Sequence, residues 1–160
     1  MLSMHYLNTN NLLSSSQHGI RPRQSTETAL AFASDSILSA TDQRDISFIC
    51  LIDLSICFDL IDHEKLIKKL QLLEVDIAWL KNYINVHTQS VSITGSDGRI
   101  CTFSRLTINQ GVFQGSSLGP VLFCVFANDL TLSLYAGDAQ AVQYADDTLR
   151  SLFQAQNQRY

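Results

Sequence analysis

The chain has few charged residues and no excess of basic ones. Charged residues make up 16% of its 160 residues, and 11 Lys and Arg are outnumbered by 15 Asp and Glu, for a net charge of −4. Proteins that bind nucleic acid on their own generally rely on basic residues that release counterions from phosphates. The composition therefore argues against a free-standing nucleic-acid-binding module, although an enzyme whose catalytic residues are acidic can carry this charge.

Long hydrophobic runs are also missing. No apolar run reaches the roughly 18 residues that a membrane helix needs. The first 16 residues lack the basic-then-apolar order of a secretory signal, so we expect an intracellular protein. The hydrophobic content of 46% is enough for one globular domain with a buried core.

The cysteines lack the spacing of a metal site. The sequence contains no CxxC pair and no Cys/His cluster among its 4 cysteines. Cys50, Cys101 and Cys124 stand among apolar neighbours, and Cys57 is the fourth. We therefore expect buried free thiols rather than disulfides or zinc ligands.

Two helices and a strand are predicted in the first half of the chain. Ser25 or Thr26 can cap a helix. Apolar residues then recur at helical spacing on a face that should pack inward: Leu30, Ala33, Ile37 and Leu38. The apolar run 46–52 is typical of a buried strand, and it ends at Asp53. Asp62 can cap a second helix that runs to Leu73.

Helices, a hairpin and a strand are predicted in the second half. A helix is indicated by the spacing of Ile77, Leu80, Tyr83 and Ile84. Residues 96–98 (Ser-Asp-Gly) predict a hairpin turn between alternating apolar residues. Residues 110–120 are irregular, with glycines that allow close approach of the backbone to a ligand. Pro120 suits the first turn of a helix over 121–134, and a short strand should then end at Tyr144.

Three aspartates are candidates for one metal site. Asp146 and Asp147 follow Tyr144 and Ala145 on what should be a tight turn, and Asp53 ends the first strand. Carboxylates are natural ligands of Mg²⁺, and each ion needs only one or two of them. Two such ions about 3.5 to 4 Å apart support nucleotidyl transfer. The alternative interpretation is that the double aspartate is a solvated turn and that Asp53 only ends a strand.

Two neighbouring features favour the metal site. Phe58 stands five residues after Asp53 and could place its ring against a bound sugar. The irregular stretch with Gln114 and Gly115 lies between the two acidic segments. Both features also have simpler explanations, with Phe58 as a core residue and the glycines as turn formers.

Four blocks in this order resemble the reverse transcriptase of non-LTR (LINE-like) retrotransposons. They are 17–26 (QHGIRPRQST), 53–63 (DLSICFDLIDH), 110–123 (QGVFQGSSLGPVLF) and 144–148 (YADDT). With their spacers they cover nearly the whole chain. The resemblance implies an α+β polymerase palm, in which helices back an antiparallel sheet, and a partial fingers region without a thumb. It assigns residues 1–45 to the fingers and residues 46–160 to the palm.

The resemblance also implies roles for individual residues. Asp53, Asp146 and Asp147 would be the catalytic residues and the ligands of two Mg²⁺ ions, which Mn²⁺ could replace. The nucleotide-binding residues would be Phe58, as a steric gate against the ribose 2′-OH, with Arg21, Gln114 and Gly115. Tyr144 would support the turn and approach the primer end. The implied partners are an RNA template, a DNA primer and deoxynucleoside triphosphates, with no membrane.

The chain departs from the family's pattern at two places within the blocks, and the stretch after Thr148 also drifts from that pattern. Ile56 and Cys57 stand where the family usually has Lys-Ala, and Phe113 stands where it has Pro. Neither departure removes an acid. Ala145 before the acids differs from the Gly that is usual in RNA-dependent RNA polymerases, which makes that class a poorer match.

The resemblance leaves an alternative function open. We find no primer grip, thumb or endonuclease sequence in the chain, and expect little or no primer extension from it alone. The alternative is a relic or co-opted fragment, non-catalytic, that binds nucleic acid or protein weakly. Family analogy suggests the nucleus, although the sequence has no Lys/Arg-rich import run.

Overall fold

Helices and antiparallel strands mix in the computed structural model, which describes residues 3–85, 87–135 and 139–155. Residues 156–160, which the prediction includes in the palm, lie outside the described residues. The helices are α1 (Met4–Thr9), α2 (Thr26–Asp42), α3 (His63–Leu72), α4 (Ala78–Asn85) and α5 (Gly119–Leu134). The strands are β1 (Asp45–Asp53), β2 (Thr88–Gln89), β3 (Ser92–Thr94), β4 (Ile100–Thr102), β5 (Leu106–Thr107), β6 (Ala139–Tyr144) and β7 (Asp147–Ala155).

The main sheet has three antiparallel strands in the order β1-β7-β6. β6 and β7 form a hairpin, and β1 pairs with β7 along its whole length. The predicted strand that ends at Asp53 is confirmed, as is the strand that ends at Tyr144. Two short ribbons, β2-β5 and β3-β4, account for the other strands among the described residues. The β3-β4 ribbon confirms the hairpin predicted around residues 96–98.

The prediction that β1 is a buried strand is wrong. Phe48 is 55% exposed and Leu51 is 78% exposed. β1 forms one edge of the sheet, while α2 packs on Val142 and Leu149 of the other two strands. An apolar run indicates a strand that is stabilised by burial. The position of that strand in the sheet decides how much of it is covered.

α2 begins where predicted, but only part of the predicted face packs on the sheet. Ser25 forms a capping box, in which its hydroxyl accepts from the backbone N–H of Thr28. Leu30 and Leu38, predicted to face inward, are 67% and 63% exposed, so that part of the prediction is wrong. The prediction for Ala33 is confirmed, because Ala33 is buried together with Ala29 and Ala40. Small side chains let the helix lie close to the sheet, and a search for large apolar residues overlooks Ala29 and Ala40.

The main core lies among α3, α4 and α5. The predicted apolar positions of α3 and α4 are confirmed, because Leu66, Leu70 and Leu80 are fully buried against Leu122 of α5. Burying one such side chain stabilises the fold by about 1.5–3 kcal/mol. Asp62 caps α3 as predicted by accepting from the backbone N–H of Lys65.

The thiols differ from the prediction in their burial. All four cysteines are free, as predicted, but Cys50 and Cys101 are exposed and only Cys124 is fully buried. Cys50 lies on the edge strand β1, and Cys101 lies in the exposed β3-β4 ribbon, so neither has a layer above it.

Among the described residues, no helix is both long and apolar enough to cross a membrane.

Candidate active site

The double aspartate lies at the tip of the β6-β7 hairpin. Tyr144 and Asp147 are paired across the hairpin, so the loop consists of Ala145 and Asp146. Loops this short require a positive φ at one or both residues, a place that glycine usually fills. Ala145 fills it here with φ +53°, at a cost of roughly 1–2 kcal/mol for a residue with a Cβ. The turn places Asp146 in the loop and Asp147 at the start of β7.

Strand pairing brings the third acid to the same place. Asp53, the last residue of β1, lies directly opposite Asp147, the first residue of β7. Directly opposite residues on antiparallel strands project from the same face and lie close together. The Ser55 hydroxyl donates to Asp53 Oδ2 at 3.1 Å. One end of the sheet therefore carries Asp53, Asp146 and Asp147.

The pKa of the Cys57 thiol depends on the carboxylates at this end of the sheet. Burial raises its pKa, and the carboxylates of Asp146 and then Asp53 raise it further. Both carboxylates therefore act on one nearby group. Cys57 stands in the segment after β1, at a position where the family usually has Ala.

The acids gather at one end of the sheet without forming a tight cluster. Across residues 3–85, 87–135 and 139–155, no three His, Cys, Asp or Glu side chains are close enough together to hold a metal ion. Asp53 and Asp147 are exposed and Asp146 is half-buried. Exposed side chains change rotamer within nanoseconds, so the carboxylates can turn toward a bound cation. Carboxylate oxygens are the kind of ligand that Mg²⁺ prefers.

The glycine-containing loop folds against the segment after β1. The backbone N–H of Gly111 donates to the Ile61 carbonyl, and that of Val112 donates to the Phe58 carbonyl, each at 2.8 Å. Gly111 has φ +86°, and a Cβ there would lie 2.9 Å from Asp59 Cα. The loop that lies between the acids in sequence is thus hydrogen-bonded to the segment that follows Asp53.

Phe58 packs against the core and also lines a surface cavity. Its ring stacks on Phe123, with centroids 4.3 Å apart, and is half-buried. It also lines a cavity of about 250 Å³ together with Phe113, Gln114, Gly115, Gly119 and Pro120. Gln114 Nε2 donates to Asp59 Oδ1 at 3.1 Å, and a Cβ at Gly115 would meet nothing within 4 Å. The structure therefore brings Phe58, Gln114 and Gly115 together.

Arg21 and Tyr144 differ in how they relate to the acids. Tyr144 is partly exposed next to the turn and lines a groove of about 430 Å³ that also includes Asp53 and Asp147. Arg21 instead holds the N-terminal loop, because its Nε donates to Asn8 Oδ1 and its Nη1 to the carbonyls of Ser14 and Gln17. Its predicted contact with the triphosphate or template remains a prediction.

Sequence reasoning missed two residues that hold the site from behind. Gln17 is fully buried, and its Oε1 accepts from the backbone N–H of Ala145 in the acid turn, the hairpin tip of residues 144–147. His63, the first residue of α3, contacts the Gly111 carbonyl through Nε2 at 2.7 Å. His63 stands among the charged residues Asp62, Glu64 and Lys65, so its sequence neighbours give no sign of this contact. No local signal identifies the partner of Gln17, which is 128 residues away.

Telomerases are among the solved structures that share this fold. The telomerase of Candida albicans, solved with a TWJ fragment of telomeric RNA, matches 92% of this chain and 29% of its own with a TM-score of 0.66 at 17% identity. The apo telomerase of Candida tropicalis, truncated from its C-terminal domain, matches 96% of this chain and 32% of its own with a TM-score of 0.61 at 16% identity. These matches confirm the predicted palm-type fold of helices and antiparallel sheet.

Sequence comparisons agree with the motif blocks. The chain is 30% identical over 139 residues to the RNA-directed DNA polymerase from mobile element jockey of Drosophila melanogaster, covering 82% of this chain and 15% of the relative. The jockey polymerase of Drosophila funebris is 30% identical over 138 residues, covering 82% of this chain and 14% of the relative. Residues 1–156 match the family model described as reverse transcriptase (RNA-dependent DNA polymerase). The chain belongs to the reverse transcriptase family and is similar to polymerases of non-LTR retrotransposons.

Proposed function

We propose that this chain carries the catalytic site of an RNA-directed DNA polymerase that adds deoxynucleotides to a primer 3′-OH. The observation that carries the proposal is the pairing of Asp53 with Asp147 beside the turn that holds Asp146. The proposed division is a partial fingers region over residues 1–45 and a palm from residue 46 onward. The proposed partners are an RNA template and a DNA primer, and the proposed setting is the nucleus.

Asp53, Asp146 and Asp147 are proposed to hold two Mg²⁺ ions. All three are carboxylates at one end of one sheet, and Asp53 and Asp147 are exposed to solvent. When bound, such ions supply charge stabilisation to the attacking and leaving oxygens of a displacement. The role of the protein is to hold the acids near one another, because the pairing of β1 with β7 keeps Asp53 opposite Asp147.

The nucleotide is proposed to lie between the acids and the glycine-containing loop. Phe58, at the edge of the 250 Å³ cavity, would bar a 2′-OH because its stacking on Phe123 limits how far the ring can retreat. Gln114 and Gly115 line the same cavity, and Gly115 leaves open space above its backbone. Tyr144 would support the turn next to the primer end, and Arg21 would act from the fingers side.

Cation-dependent binding of a deoxynucleoside triphosphate tests this proposal on the chain itself. We expect the purified chain to bind a fluorescent dATP analogue in the presence of Mn²⁺ and to lose that binding when Mn²⁺ is chelated. The pair Asp53→Asn with Asp146→Asn should abolish binding. The matched control, Asp35→Asn with Asp42→Asn on exposed positions of α2, removes the same charge and should leave binding intact.

The result that would contradict the proposal is equally definite. Binding that survives chelation, or that is equal in the site pair and the α2 pair, would mean that the acids do not form the nucleotide site. A folded chain that binds no nucleotide at all would favour the non-catalytic alternative.

A further inference from the structure

The segment before Arg21 is built into the back of the acid turn. The backbone N–H of His18 donates to the Gln143 carbonyl at 2.7 Å, and the backbone N–H of Gln143 donates to the Ser16 carbonyl at 2.8 Å. These bonds give Gln17 a short parallel pairing with Gln143, next to the tip of the hairpin. The N-terminal segment therefore acts as an extra, one-residue strand beside β6.

This pairing places the side chain of Gln17 under the turn. Gln17 is fully buried, and its Oε1 accepts from the backbone N–H of Gly19 at 2.8 Å and from that of Ala145 at 3.3 Å. One side-chain oxygen thus joins two segments that are far apart in sequence. A buried side chain held by backbone pairing on both sides of it has little freedom to move away.

Gly19 shows how closely the two segments approach. A Cβ on Gly19 would lie 2.2 Å from the backbone nitrogen of Ala145, a distance that no side chain can occupy. Glycine is therefore required here for close approach of backbone to backbone rather than for an unusual φ. The contact covers the nitrogen that Gln17 binds.

The acid turn has a specific need for such a partner. Ala145 is held at φ +53°, a conformation that alanine disfavours and that its own hairpin loop must impose. Its N–H lies at the tip, beyond the last paired residues of β6 and β7. An acceptor that fixes this N–H fixes the backbone immediately before Asp146 and Asp147.

We propose that Gln17 is a positioning residue of the active site, which holds Ala145 in its left-handed conformation and thereby directs Asp146 and Asp147. The assignment of those acids as catalytic rests on the proposed function. The positioning itself concerns the backbone of the turn and can be measured without any activity.

Hydrogen exchange at the Ala145 amide, followed by NMR, tests the proposal directly. In the wild-type chain this amide should exchange well below the free-peptide rate. In Gln17→Met, which keeps the length of the side chain but removes the acceptor, its exchange should rise about tenfold, as expected for one lost hydrogen bond. The control Gln140→Met lies on the same strand pair and loses a bond from Ser36 instead, so Ala145 should stay protected.

A second measurement separates positioning from general packing. Gln17→Met should weaken Mn²⁺ binding, and the loss should be smaller when Ala145→Gly is also present, because glycine adopts positive φ without strain. Equal losses in both backgrounds would mean that Gln17 acts through packing alone and would overturn the proposal. A wild-type chain that binds no Mn²⁺ would defeat the proposed function, while Ala145 exchange would still decide the role of Gln17.

The proposal remains testable if Gln17→Met does not fold. Gln17→Glu keeps an acceptor oxygen at the same position, so its Ala145 amide should remain protected. A folded Gln17→Glu chain with an unprotected Ala145 amide would overturn the proposal. A wild-type Ala145 amide that exchanges at the free-peptide rate would overturn it without any variant.

Discussion

At the scale of single residues, the site combines predicted acids with supports that only the structure reveals. The sequence placed Asp53 at a strand end and Asp146 on a tight turn, and both placements are confirmed. Their proximity depends on the pairing of β1 with β7, a contact between segments about a hundred residues apart that no local pattern encodes. Gln17 was overlooked for the same reason, because it contacts Ala145, which is 128 residues away in the sequence.

Phe58 supplies a prediction about sugar selection. We expect Phe58→Val to narrow the preference for dATP over ATP in the Mn²⁺-dependent binding assay by about tenfold, since a smaller side chain would admit the 2′-OH. Phe58→Tyr keeps the ring and should keep the preference. Phe103→Val, at an exposed aromatic in another part of the chain, is the control for loss of a ring. An unchanged preference in a folded Phe58→Val chain would rule out the steric gate.

The Cys57 thiol supplies a prediction about pH and metal. Its raised pKa means less thiolate at pH 8 than an ordinary cysteine has, so it should react with a disulfide reagent more slowly than exposed Cys50 and Cys101, and faster as the pH rises. Mg²⁺ at the acids should cancel the effect of Asp146 and lower this pKa. Reaction of Cys57 in a chain with Cys50→Ser and Cys101→Ser should therefore accelerate when Mg²⁺ is added.

The same experiment contains its own controls. Asp146→Asn should abolish the acceleration by Mg²⁺, because the charge that the cation neutralises is gone. Burial raises the pKa of the Cys124 thiol to about 12, so Cys124 should react only after unfolding in either variant. Slower reaction on addition of Mg²⁺ would indicate shielding of the thiol and would contradict the electrostatic account.

At the scale of elements, the helices and strands were predictable and their buried faces were not. The N-cap residues Ser25 and Asp62, and the helical spacing after each, mark where α2 and α3 begin. Which face is covered depends on the neighbouring layer. In α2 the covered face consists of alanines, whereas large apolar residues such as Leu30 remain exposed, and in β1 the edge position leaves Phe48 uncovered.

The alanine face of α2 supplies a stability prediction. Ala33 is buried against Val142 and Leu149, so Ala33→Leu should lower the free energy of unfolding by about 1–3 kcal/mol through overpacking. The control Ala31→Leu makes the same change on the exposed side of the same helix and should have an effect within about 0.5 kcal/mol. Urea unfolding followed by circular dichroism measures both. Equal effects would mean that α2 does not pack on the sheet through this face.

At the scale of the whole molecule, one chain brings the proposed catalytic parts together within a small share of its relatives' length. It covers 15% and 14% of the two jockey polymerases, yet it includes both acidic strands, the glycine-containing loop and the segment that supports the turn. The net charge of −4 is consistent with a chain whose acids form a cation site. Several large apolar side chains on β1 and α2 are exposed. Monomeric soluble proteins rarely expose large contiguous apolar patches.

The most direct test of this account is calorimetric titration of the purified chain with Mn²⁺, because the central claim is that acids from two strands form one cation site. We predict saturable binding that Asp53→Asn alone weakens, Asp146→Asn alone weakens, and the two together abolish, while Asp35→Asn with Asp42→Asn leaves it unchanged. Binding that is the same in the wild type and in the Asp53 and Asp146 variants would contradict the account.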